Sequence, residues 1–145
     1  MDELKKEVQV EKEHILTTLR ALKEAMERKE KTIIELAAIS TFLQNIYNGI
    51  ENLLKRILKF LGKTIIKSKS WHKELLDLAV DTKIITFLLS KKLDEYSAFR
   101  HFSIHGYGIK LDKQKLFPLA ENLPKLWEEL ESEISSFLEK EPNGE

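Results

Sequence analysis

Thr32 to Leu61, TIIELAAISTFLQNIYNGIENLLKRILKFL, decides how the rest of the chain is read. Within it Leu36, Ile39, Leu43, Ile46, Ile50, Leu53 and Ile57 follow one another at alternating steps of three and four. That spacing lines up one face of a helix, so the stretch predicts a long α-helix packed along a single apolar seam. Gly62 stops it as a C-cap, and the polar run Lys63 to Ser70 makes the turn that follows.

Upstream, Asp2 to Arg28 carries Leu4, Val8, Ile15, Leu19, Leu22 and Met26 at helical spacing with charges between, which predicts an amphipathic helix. Downstream, Ser70 is placed to cap a third helix whose first turn holds Glu74 and whose apolar residues are Leu75, Leu76, Leu78 and Ala79. A fourth helix is expected from Thr82 to Ile104, with Ile84, Ile85, Phe87, Leu88, Leu93, Tyr96 and Phe99, ending at Gly106 and Gly108. The last starts near Asp112 and runs through Leu116, Leu119, Leu123, Leu126, Trp127, Leu130, Ile134 and Leu138. Pro118 and Pro124 interrupt it, and an interior proline costs roughly 3 kcal/mol, so its regular part is expected to begin near Pro124 or to be kinked before it. No segment alternates with period two. The expected fold is all-α, an up-and-down bundle of four to five helices.

The chain has 145 residues, 42% of them hydrophobic, which suits one domain over residues 1–140 with a disordered tail, EPNGE, at 141–145. Cysteine is absent, which removes disulfides, thiolate metal sites and cysteine nucleophiles and fits a cytoplasmic location. No stretch approaches the roughly 18 apolar residues needed to span a bilayer, and the N-terminus has no apolar export segment, so no membrane association is expected. Basic and acidic residues both number 24. Any contact with a polyanion must therefore be local, and near-neutrality does little to keep protomers apart.

Chemistry concentrates in Arg100 to Tyr107, RHFSIHGY. Arg100 offers a planar, permanently charged fork that fits phosphate oxygens, and His105 can take or give a proton near neutral pH. Five residues apart on a continuing helix they are about 140° out of register, but Gly106 and Gly108 allow His105 to leave the last turn while Arg100 stays inside it. Together they suit cleavage of a phosphodiester by the RNA's own 2′-hydroxyl, with His105 moving a proton and Arg100 stabilising charge on the phosphoryl oxygens, without a metal or other cofactor. Tyr107 falls on the loop between the glycines. His101 and His105 have the spacing of a helical metal pair, yet Asp112 is the only nearby further ligand, so no metal site is expected.

Plainer roles stand beside these. Arg100 could be a surface cation at a helix C-terminus, His105 a helix cap, and Tyr107 a packed loop aromatic. His14 reads as surface, Trp71 as buried, and His72 as a helix-start residue whose alternative is an RNA contact. The lysines at 63, 67, 69 and 73 read as a solvated turn that would become a local positive field if folded near Arg100 and Lys110.

The pattern R-x4-H-x-Y resembles the motif of HEPN-domain ribonucleases, specifically the HepT-like toxins paired with minimal nucleotidyltransferase antitoxins of the MntA type. The likeness extends to AFRHFSIHGYGIKLD at Ala98 to Asp112, IYNGIENLLKRI at Ile46 to Ile57 and SWHKELLDL at Ser70 to Leu78. Ser103 departs from it, where a bulky or basic residue is more usual. The resemblance implies a HEPN-type bundle in which Arg100 and His105 form the catalytic pair and His101 supports them. It implies that the antitoxin silences the toxin by transferring AMP to Tyr107, and that two copies meet in a homodimer with both motifs in one cleft. Lys110 and His72 are further candidate RNA contacts. The rival reading is a non-catalytic helical subunit that binds a nucleotide or substrate within a nucleotidyltransferase complex.

Overall fold

The computed structural model describes residues 1–65, 70–105 and 113–140, with residues 101–105 described by their backbone. These fold into five helices: α1 (Asp2–Glu27), α2 (Ile33–Phe60), α3 (Trp71–Asp81), α4 (Phe87–His105) and α5 (Lys113–Lys140). No strand occurs among the described residues, and the architecture is the all-α bundle that the periodicity predicts.

The long helix opens on a reciprocal cap. The Thr32 hydroxyl accepts from the Ile34 N–H at 3.2 Å while the Glu35 carboxylate accepts from the Thr32 N–H at 2.9 Å. The Glu35 carboxyl is held below its usual range, first by the Thr32 hydroxyl, which also donates to it, and then by the Thr32 N–H. At the other end Gly62 adopts φ +77°, the left-handed conformation open to glycine, and two bonds close the helix. Lys63 N–H donates to the Leu58 carbonyl at 2.8 Å and Gly62 N–H to the Lys59 carbonyl at 3.0 Å.

α1 lies antiparallel along α2. Gly49 of α2 meets Ile15, where an added Cβ would come within 2.8 Å of the Ile15 side chain. Further along α2, Arg56 reaches back to Glu7 at 3.2 Å and Glu11 at 3.4 Å. Leu4, Val8, Ile15 and Leu22 bury the inner face of α1, while His14 is exposed as expected. α4 and α5 are antiparallel by the same logic: the Tyr96 hydroxyl donates to the Leu119 carbonyl at 2.7 Å, Lys92 pairs with Glu129 at 3.0 Å, and Thr86 N–H donates to Glu133 at 2.6 Å.

Two helix boundaries differ from expectation. α4 begins at Phe87 rather than Thr82, because Thr82 to Thr86 form the turn that ends α3. Lys83 takes φ +64° there, its N–H donating to the Val80 carbonyl while Ile84 N–H donates to that of Ala79. This is the closure seen at Gly62, built on a lysine. Thr86 then caps α4, its hydroxyl accepting from the Leu89 N–H. Leu89, Leu93 and Tyr96 form the buried row of α4, so Phe87 and Leu88, which fall off that row, are exposed.

α5 does not wait for Pro124; it runs from Lys113 through both prolines. Both prolines sit on its exposed side, so neither ring intrudes on the core. The buried row Leu116, Ala120, Leu123, Trp127, Leu130 and Ile134 continues past them, so core packing holds the helix together.

Candidate active site

Three helices bring one arginine, one histidine and one glutamate into line. Arg100, on α4 and half-buried, directs Nη1 to Nε2 of His72 at 3.2 Å. The other ring nitrogen of His72, Nδ1, lies 2.5 Å from Oε2 of Glu51 on α2. A guanidinium only donates, so Nε2 must accept; Nδ1 then carries the proton and donates to the carboxylate. His72 is thereby set as the neutral Nδ1–H tautomer, wedged between a cation and an anion.

Each member has a local reason for its place. Glu51 is only 2% exposed, an acidic residue in a row otherwise made of Tyr47, Leu54 and Leu58. A carboxylate buried that deeply needs a partner, which His72 supplies. His72 stands in the first turn of α3, and its ring lies against Trp71 with centroids 3.6 Å apart. Trp71 is half-buried rather than buried, because its ring is held at the surface between His72 and Lys55, whose Nζ sits 4.1 Å from its centroid.

One turn before Glu51, Tyr47 is 1% exposed, and its hydroxyl lies beside Ser97 and Glu51 without a hydrogen bond of good geometry to either. Burial, with the Glu51 carboxylate beside it, pushes its ionisation far above the usual tyrosine range. The Tyr96 hydroxyl is pushed up in the same direction, first by burial and then by Glu95.

Of the residues singled out by sequence, the structure joins two, Arg100 and His72. His105 is the final residue of α4 and His101 directly follows Arg100 in it, both placed by backbone. Tyr107, Lys110 and Asp112 lie outside the described residues, as do Gly106 and Gly108 that were read as the helix stop. Glu51 was not singled out. Its signal was the single charge in the buried row 47, 51, 54, 58, visible only when that second row is read beside the seam.

Such a bundle, with an arginine tied to two other helices through His72 and Glu51, is an all-α scaffold. The family match is consistent with it: residues 38–141 match the model of the HepT-like protein family, and the chain belongs to that family. It is a HEPN-type, toxin-like protein. Among solved structures it is similar to the cytosolic protein of unknown function YutE from Bacillus subtilis, with a TM-score of 0.74 and 17% identity over 97% of this chain and 94% of that one. That likeness concerns the fold. No curated protein sequence matches the chain. Among the described residues, no helix is long and apolar enough to cross a membrane.

Proposed function

We propose that this protein is the toxin of a toxin–antitoxin pair and acts as a metal-independent endoribonuclease. The observation that carries the reading is the restraint on Arg100, held by a histidine that is itself seated on a buried glutamate. A solvated surface arginine needs no such support, whereas a group that must meet developing charge on a phosphate gains from being fixed beforehand. In this reading the RNA 2′-hydroxyl loses its proton to His105 and attacks the adjacent phosphorus. The bond to the 5′-oxygen breaks, and that oxygen takes a proton from a second acid. The products are a cyclic phosphate and a 5′-hydroxyl, with Arg100 stabilising the charge on the phosphoryl oxygens throughout.

Arg100 and His105 are five residues apart on α4, about 140° around an ideal helix. A homodimer that pools two motifs in one cleft supplies both the proton acceptor and the proton donor from two copies of His105. His101 supports the pair, and Lys110 contacts RNA. A minimal nucleotidyltransferase antitoxin transfers AMP to Tyr107 and silences the cleft, and the pair works in the cytoplasm.

The test is cleavage of RNA in the presence of EDTA by the parent protein and by Arg100→Ala and His105→Ala. Cleavage that survives chelation and disappears in both variants is expected; variants that cut as well as the parent overturn the reading. Mass spectrometry after incubation with the partner and ATP is expected to find AMP on Tyr107, and a label found only elsewhere removes that residue from the scheme.

A further inference from the structure

Beside the Arg100 relay lies a groove of about 250 Å³ between the last turns of α2, residues 63–65 and the start of α3. Leu58, Ile65 and Trp71 make its apolar lining, and Lys55, Lys59 and Lys63 contribute the charge. Among the described residues no acidic side chain lines it. In a chain with 24 basic and 24 acidic residues, that is a local excess of one sign. None of the three lysines has a carboxylate partner among the described residues. Nor are they needed to cap α2, since the carbonyls of Leu58 and Lys59 already accept from Lys63 and Gly62.

Groove and relay share a wall. Trp71 lines the groove, its ring lies 3.6 Å from that of His72, and His72 meets Arg100. The volume is below the roughly 300–1,000 Å³ of pockets that enclose a drug-sized ligand. It suits one flat apolar group attached to something anionic.

We propose that this groove is a subsite for one nucleotide of single-stranded RNA next to the phosphate on Arg100. The base takes the place of the Lys55 ammonium on the Trp71 face, beside Leu58 and Ile65, and Lys55, so released, joins Lys59 and Lys63 on the neighbouring phosphates. An aromatic beside a cluster of cations is the arrangement by which single strands are held without reading their sequence. The position of the subsite relative to the cut bond rests on the ribonuclease reading; binding itself does not.

Binding is therefore measured without cleavage, using a 2′-O-methyl RNA hexamer, which lacks the attacking hydroxyl. Tryptophan emission is expected to change on titration, and to stop changing in Trp71→Phe, because Trp127 is buried. Lys55→Ala combined with Lys59→Ala is expected to lower the slope of log affinity against log salt by about 1.4, two single-strand phosphate contacts. Trp71→Ala is expected to weaken binding by roughly tenfold or more, while leaving binding of base-free polyphosphate unchanged. Unaltered affinity and slope in the double lysine variant overturn the subsite, as does loss of polyphosphate and RNA binding in equal measure in Trp71→Ala. Circular dichroism confirms that each variant is folded. Hexamer binding with these signatures in a protein that cuts no RNA sustains the subsite and removes the ribonuclease reading. Cleavage by a protein whose hexamer binding ignores the lysines does the reverse.

Discussion

Glu51 and His72, 21 residues apart in the chain, meet at 2.5 Å, and the carboxylate side of that contact is sealed inside the bundle. His72→Leu leaves the Glu51 carboxylate buried without its donor and is expected to cost about 2 kcal/mol in a denaturant titration. Glu51→Gln keeps an acceptor for Nδ1–H but removes the charge. It is expected to cost less than about 1 kcal/mol in stability while slowing RNA cleavage, because the imidazole no longer holds Arg100 as firmly.

Arg100→Lys keeps the positive charge and loses the fork. One ammonium cannot both donate to His72 Nε2 and present paired donors to a phosphate. Cleavage is expected to fall by about 10²-fold, the usual consequence of losing one donor to developing charge, with stability within about 0.5 kcal/mol of the parent.

Lys83 holds φ +64° to close α3. A left-handed backbone costs a residue with a Cβ roughly 1 kcal/mol or more, and glycine is spared it. Lys83→Gly is therefore expected to stabilise the fold by about 1 kcal/mol net, read as a rise of a few degrees in melting temperature.

Gly49→Ala carries the opposite sign. Alanine gains about 1 kcal/mol in helix propensity over glycine, but its Cβ would meet the Ile15 side chain at 2.8 Å and push α1 off α2. Overpacking of about 1–3 kcal/mol outweighs the gain, and a lowered melting temperature is expected.

Tyr47 has a buried hydroxyl that forms no hydrogen bond of good geometry. Tyr47→Phe removes a hydroxyl that has Ser97 and Glu51 beside it but no well-formed bond to either, so stability is expected to change by less than about 1 kcal/mol in thermal unfolding.

The helices were legible where burial and period agreed. The seam from Leu36 to Ile57 is wholly buried, and Gly62 closes α2 as its sequence position indicates. The misplaced start of α4 comes from Lys83, which adopts a glycine-like conformation without being glycine; the buried Ile84 that follows stabilises the turn. α5 starts beside Asp112 as its sequence indicates, and helix continues from Lys113 to Pro124, where proline propensity alone would delay it, because packing on both sides of Pro118 and Pro124 outweighs that cost. Arg100 stood out by its motif. Glu51 did not, because its contact with His72 joins residues 21 apart and the next link, His72 to Arg100, spans 28; no local period encodes either.

α1 lies outside the family-matched residues, yet it braces the helix that carries Glu51 from behind, through Ile15 against Gly49 and through the grip of Glu7 and Glu11 on Arg56. A load path thus runs from the N-terminal helix through α2 to Glu51, His72 and Arg100.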